Sequence, residues 1–117
     1  MNTYFKGLAG ELKEFARERD WEKFHTPKNL AMALSVEVAE LVEIFQWMDE
    51  EESRTLEPKK LRHLREEIGD VLIYLTNLAD KFDIDPLEAA IEKLQHNRDK
   101  YPASIVRGKA TKYTDYL

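Results

Sequence analysis

The sequence predicts an all-α protein with the architecture of a four-helix bundle. Only four Gly and four Pro occur in 117 residues, which is too few for a turn-rich sheet protein. Apolar residues recur at spacings of three and four in four segments, as on the buried face of a helix. Thr-Pro and Asp-Pro pairs precede two of these segments and are typical helix starts. Four helices joined by short links favour a bundle.

The first two helices are amphipathic. Helix one is expected at residues 3–19, and its inward side chains are Phe5, Leu8, Leu12 and Phe15. Thr26 and Pro27 predict the start of helix two, with the hydroxyl as cap and Pro in the first turn. Helix two should end near residue 48. Its apolar stripe consists of Leu30, Leu34, Val38, Leu41, Phe45 and Met48.

Helix three is expected at residues 58–82, after a polar linker. Its predicted inward stripe is Leu61, Leu64, Ile68, Val71, Leu75, Leu78 and Phe82. Residues 71–75 are all apolar and therefore surround the helix, which a single small bundle cannot cover. We therefore expect a homodimer or homotetramer whose interface covers the Ile73 face. Asp85 predicts the cap of helix four, and Pro102 its end.

Length and composition limit the class of protein. A chain of 117 residues predicts a single domain, residues 1–117, in which 103–117 form a C-terminal tail. No segment approaches the roughly 20 apolar residues that span a bilayer, so no membrane partner is expected. A net charge of −5 disfavours nucleic-acid binding. The absence of Cys fits a cytoplasmic protein.

Two pairs of acids interrupt the apolar faces of helices two and three. Glu37 lies within the stripe of helix two and Glu40 on its edge, while Glu67 and Asp70 border the stripe of helix three. A spacing of three places both members of a pair on one face. No basic residue lies one turn from Glu37 or Glu40 on the same helix. The pattern predicts a site for a hard cation such as Mg²⁺, and the alternative is an inter-helix salt-bridge network.

Two further sets of residues have the chemistry of a nucleotide site. Lys93 and Asn97 lie on one edge of helix four with Tyr101 close by, and such a strip can bind phosphate oxygens. Solvated charge is the alternative interpretation. Trp21, His25 and Trp47 flank helix two, where the rings could stack on a base or pack in the core. No glycine-rich phosphate loop or catalytic serine motif is present.

With these residues in view, the chain resembles the MazG-like all-α nucleoside triphosphate pyrophosphohydrolases, and within them the dCTP pyrophosphatase branch. The signature E-x-x-E, spacer, E-x-x-D is matched by the two acidic pairs. Similarity extends through RERDWEKFHTPKNL, ELVEIFQW, EEIGDVLIYL and NRDKYP to the terminal KYTDYL. The resemblance therefore covers most of the chain.

The resemblance implies an enzyme that removes unwanted nucleotides from the pool. It would hydrolyse a nucleoside triphosphate, dCTP or modified dCTP, to the monophosphate and pyrophosphate. It further implies that Glu37, Glu40, Glu67 and Asp70 are catalytic and hold Mg²⁺, for which Mn²⁺ is an acceptable substitute. The substrate-binding residues would be Trp21, His25, Trp47, Tyr74, Lys93, Asn97, Arg98 and Tyr101. The alternatives are a dUTP or phosphoribosyl-ATP hydrolase and a noncatalytic helical adaptor.

Overall fold

The computed structural model describes residues 2–110 and 114, and this part of the chain contains helices and no strand. The predicted all-α class is confirmed. Short 3₁₀ turns at Glu22–Phe24 and Glu52–Arg54 lie in the first two connections. The helices are α1 (Thr3–Glu18), α2 (Pro27–Phe45), α3 (Pro58–Asp80), α4 (Pro86–Lys100) and α5 (Ala103–Val106).

Side-chain caps begin three of the helices. The Thr26 hydroxyl accepts a hydrogen bond from the Asn29 amide at 3.2 Å, which confirms the predicted start of α2. Asp85 accepts from the amides of Leu87 at 2.9 Å and Glu88 at 3.4 Å, which confirms the start of α4. Asn2, which the sequence pattern did not indicate, caps α1 in the same manner. These acceptors satisfy amides that have no partner within the helix.

The C-terminus of α1 positions a candidate site residue. Asp20 adopts a positive φ of 55°, and the Trp21 amide donates to the Ala16 carbonyl at 2.9 Å. The Asp20 amide donates to Arg17, and together these bonds form a Schellman motif. The reversal turns Trp21 back against Phe15, whose ring meets the indole edge to face with centroids 5.8 Å apart.

Packing within the chain is uneven. The contact between α2 and α3 is the most extensive, and α1 packs on α3. In contrast, α4 has no buried residue. The radius of gyration is 17.9 Å, whereas a compact domain of this length would measure about 13 Å. The predicted four-helix bundle is therefore not completed within one chain.

The predicted core of α3 is wrong in part for the same reason. Leu61 is 56% exposed and Ile68 52%, because no helix of the described chain covers their face. Leu72 and Leu75 on that face are also exposed. The uncovered apolar surface of α3 therefore consists of Leu61, Ile68, Leu72 and Leu75. Ile73, whose face we expect at an interface between copies, is half-buried within one chain and lines a cavity beside α1.

Other differences concern the ends of the helices. α1, α2 and α3 end one to three residues earlier than the sequence predicts. The predicted tail begins with the one-turn helix α5. Most of the KYTDYL segment lies outside the described residues, namely at positions 112, 113 and 115–117. Within the described part, no helix combines the length and apolarity that crossing a membrane requires.

Candidate metal and nucleotide site

The contact between α2 and α3 brings three carboxylates together. Glu37 on α2 and Glu67 and Asp70 on α3 each contribute an oxygen, and these three oxygens lie within 4.8 Å of one another. Glu37 lies near the middle of α2 and Glu67 near the middle of α3, so a hairpin of the two helices brings them to the same level. We call these three residues the acidic triad.

Part of the triad is removed from water. Glu67 is only 7% exposed. The Oε2 atoms of both Glu37 and Glu67 are buried and accept no hydrogen bond. Burying a carboxylate oxygen without a hydrogen-bond partner costs free energy. A group of such oxygens is a typical set of ligands for a hard cation. The donor set and the unpartnered oxygens therefore fit a divalent metal such as Mg²⁺.

Burial and the neighbouring carboxylates change the titration of Glu37. Burial, then contact with Glu40 and Glu67, raise its pKa from 4.5 to about 7, and the charges of Glu40 and Asp70 add to the shift. Glu40 thus lies beside Glu37, yet it is not a member of the triad. The structure brings three of the four predicted acids around one position and leaves the fourth at its edge.

The salt-bridge alternative is wrong within the described chain. None of the ion pairs formed between residues 2–110 joins a Lys or Arg to Glu37, Glu40, Glu67 or Asp70. Only His63 approaches, with its Nε2 atom 3.3 Å from Oε1 of Glu67. A single imidazole cannot balance four carboxylates. His63 lies one turn before Glu67, a spacing of four that could have indicated it from the sequence.

A cavity of about 300 Å³ lies between α1, α3 and the first connection. Its volume is at the lower end of the range for small-molecule sites. Three predicted substrate contacts, Trp21, His25 and Tyr74, line it. The other lining residues are Leu8, Glu11, Leu12, Phe15, Ile73 and Asn77. A second cavity of about 350 Å³ shares Leu12, His25 and Asn77 with the first.

Several residues that line the first cavity were not predicted from the sequence as site residues. Asn77 lies three residues after Tyr74 on the same helical face, and that spacing was a usable signal. Phe15 was assigned to the core but is 45% exposed and lies against Trp21. No spacing rule could place α1 beside this part of α3, because that contact depends on tertiary packing.

The remaining predicted contacts do not meet the cavity within one chain. Trp47 is 89% exposed and does not line it. The four predicted residues on α4 and at its end are also outside it. Asn97 is half-buried, and Arg98 donates a hydrogen bond to Gln95 at 3.2 Å. These four are Lys93, Asn97, Arg98 and Tyr101.

Comparison with known proteins shows relatives along most of the chain. The profile of the MazG-like family matches residues 32–116. The chain is 50% identical over 104 residues to dCTP pyrophosphatase 1 of Rattus norvegicus. The aligned segment covers 87% of this chain and 61% of the rat protein. The chain is 46% identical over 104 residues to the Homo sapiens protein of the same name, with the same coverage. The chain thus spans 61% of the length of these relatives.

A solved structure with the same fold is a pyrophosphatase from Archaeoglobus fulgidus. It is 44% identical to this chain, and the two superpose with a TM-score of 0.75. The match covers 87% of this chain and 95% of the archaeal chain. The likeness therefore extends over nearly the whole of the archaeal chain.

Proposed function

Because this chain belongs to the MazG-like family, we propose that it is a metal-dependent nucleoside triphosphate pyrophosphohydrolase. The products are a nucleoside monophosphate and pyrophosphate, and the preferred substrate is dCTP or a modified dCTP. The observation that carries the proposal is the acidic triad, with three oxygens within 4.8 Å and two buried oxygens unpartnered.

The four acids have separate tasks in this reaction. The triad of Glu37, Glu67 and Asp70 would hold Mg²⁺, or Mn²⁺ in its place. The bound metal supplies neutralisation of phosphate charge and stabilisation of the charge that develops in the transition state. Water attacks the α-phosphorus, and the bond to the oxygen that bridges the α- and β-phosphates breaks. Pyrophosphate leaves with that oxygen and its electron pair, and Glu40 accepts the proton from the water.

The cavity beside α1 would hold the base and sugar. Aromatic side chains on its wall can stack on a planar base, and Trp21 is already held by its edge contact with Phe15. Tyr74 lies one turn after Asp70 on α3, so the cavity is next to the triad. Glu11 and Asn77 on the same wall offer an acceptor and an amide to the polar edge of the base. Their chemistry suits a base with an exocyclic amine, such as cytosine.

We also propose that the site is completed by a second copy of the chain. On α4, Leu87, Ile91 and Leu94 are 49%, 68% and 52% exposed and lie on one face. This face could pack on the exposed apolar face of α3 in a second copy. Asn97 and Tyr101 lie at the border of the α4 face and would then point toward that copy. Arg98 lies within the same face, whereas Lys93 lies on the opposite side of α4. Asn97, Arg98 and Tyr101 would then serve the partner's triad in a homodimer or homotetramer.

A panel of nucleoside triphosphates tests the proposed activity. With Mg²⁺, pyrophosphate release should be fastest with dCTP or a modified dCTP, and it should stop when EDTA is added. The same panel separates a dUTP or phosphoribosyl-ATP hydrolase from the proposed enzyme. A protein that neither releases pyrophosphate nor binds a nonhydrolysable triphosphate with Mg²⁺ would be the helical adaptor instead.

Substitution of Glu37 tests whether the triad carries the reaction. Glu37→Gln removes one charge from the triad and should abolish turnover while the helical circular dichroism is kept. Glu43→Gln is the matched control, because Glu43 lies on the same helix and is exposed outside the triad. Full activity of Glu37→Gln with added Mg²⁺ would remove the triad from the mechanism.

A further inference from the structure

We infer that the first two turns of α3 bind the pyrophosphate half of the substrate through Lys59 and Lys60. This inference rests on the proposed function and adds a phosphate contact to it. An open surface cavity of about 560 Å³ lies at this end of α3, and its lining residues are all exposed and belong to α3. The residues that line it are Lys59, Lys60, Arg62, His63 and Glu66.

Both lysines are available to an anion. They are exposed, and within residues 2–110 and 114 neither forms an ion pair with a carboxylate. Glu66 shares their cavity without pairing with them. Lysine ammonium groups bind phosphate oxygens as point charges and donate up to three hydrogen bonds each.

The position of the lysines along α3 matches the order of groups in a nucleoside triphosphate. At about 100° of rotation per residue, one arc of about 100° on α3 carries three successive groups. The lysines are at its beginning, the triad acids in its middle and the base cavity at its end. In chain order the members of this arc are Lys59, Lys60, His63, Glu67, Asp70, Tyr74, Asn77 and Leu78.

Direct contact joins the basic end of the arc to the triad. His63 lines the cavity of the lysines, and its Nε2 atom is 3.3 Å from Oε1 of Glu67. A substrate whose α-phosphate is at the triad and whose base is beside Tyr74 would therefore extend its β- and γ-phosphates toward His63 and the lysines.

Distances along the helix are compatible with this arrangement. Lys60 precedes Glu67 by seven residues, which corresponds to about 10 Å along the axis. A lysine side chain and two phosphate groups together cover such a separation. When the bond to the α-phosphorus breaks, negative charge increases on the departing pyrophosphate, and the ammonium groups are placed to stabilise it.

The binding of inorganic pyrophosphate tests the inference. Lys59→Ala/Lys60→Ala should weaken calorimetric binding of pyrophosphate in the presence of Mg²⁺ by roughly tenfold or more. The inhibition constant of pyrophosphate as a product should rise by the same factor, whereas that of the nucleoside monophosphate should not change. Lys59→Arg/Lys60→Arg keeps both charges and should retain most of the affinity.

Arg65→Ala is the control for general electrostatics. Arg65 lies on α3 close to the lysines in sequence but on the opposite side of the helix, so its removal should leave pyrophosphate binding unchanged. An equal loss in Arg65→Ala, or no loss in the double alanine variant of an active enzyme, would overturn the inference and leave the proposed function intact. Failure of the wild-type protein to hydrolyse triphosphates and to bind pyrophosphate would overturn both.

Discussion

At the scale of single residues, the most informative group is the Glu37 carboxyl. Its Oε2 atom is buried without a hydrogen-bond partner, and three other acids of α2 and α3 are close enough to influence it. A group of buried carboxylates without compensating charge lowers the stability of the folded state. Its presence in the core therefore points to a role other than stability. Burial, followed by the neighbouring carboxylates, raises the pKa of Glu37 to about 7.

The pKa of Glu37 predicts how stability depends on pH in the absence of metal. The folded pKa, about 7, exceeds the unfolded value of 4.5, so between these values the folded state retains a proton that the unfolded state loses. The associated stability is full below 4.5 and is lost as pH rises through about 7. With EDTA present, urea unfolding should therefore show lower stability at about pH 8 than at about pH 5.

Glu37→Gln provides the control for this pH dependence. Glutamine does not titrate, so the variant should lose clearly less stability over the same range of pH. Mg²⁺ added at the higher pH should raise the Tm of the wild-type protein, because a ligand that binds only the folded state stabilises it. Identical pH profiles for the two proteins would show that Glu37 is not the titrating group.

At the scale of secondary-structure elements, Asp85 joins the beginnings of two helices. Its carboxylate caps α4 and also accepts a hydrogen bond from the Asn2 amide, the N-cap residue of α1, at 2.6 Å. Asp85 is only 4% exposed. The hydrogen bond from the Asn2 amide, followed by those from Leu87 and Glu88, lowers the pKa of Asp85 below its usual value. Since α4 has no buried residue, this cap is a principal tie between α4 and the rest of the chain.

Removing the Asp85 cap should therefore destabilise the protein. Asp85→Ala leaves the amides of α4 and of Asn2 without acceptors, and we expect the Tm to fall by about 4 °C or more. Asp85→Asn keeps an acceptor oxygen and should recover most of the loss. Asp99→Ala, an exposed acid on the same helix, should have little effect. Thermal unfolding followed by circular dichroism distinguishes these outcomes, and equal Tm values would exclude a structural role for the cap.

At the scale of the whole molecule, the chain leaves much apolar surface uncovered. Exposed apolar residues form one stripe on α3 and another on α4, and α4 extends from the packed helices. Large contiguous apolar surfaces in a soluble chain mark interfaces. Symmetric association of copies would bury both stripes at once, and this is why we propose that the protein acts as an oligomer.

Charge placed on the α4 stripe should disrupt this association. Ile91→Glu buries a carboxylate in the proposed interface, so sedimentation velocity should show a smaller species than for the wild-type protein. Ala89→Glu adds the same charge on the opposite side of α4 and should leave the oligomer intact. Wild-type protein that sediments as a monomer at all concentrations would contradict the proposal. So would an Ile91→Glu variant that sediments as the wild-type protein does.

The features that can be predicted from the amino-acid sequence are local. Helix positions, the caps at Thr26 and Asp85, and the placement of acids on apolar faces follow from spacings of three and four residues. Such patterns are expressed within one turn of a helix. They were sufficient to indicate the acidic residues and the aromatic group near helix two, and the resemblance to a family suggested the reaction that we propose.

How these local patterns combine depends on packing between the helices. The tertiary structure placed Glu37 rather than Glu40 with the acids of α3, and it brought Asn77 and Phe15 to the wall that Trp21 and Tyr74 share. It also left α4 unpacked, where the sequence predicted a completed bundle. The physical reason is that inter-helix register depends on many side chains packing at once between distant segments. No helical period within a single segment contains that information.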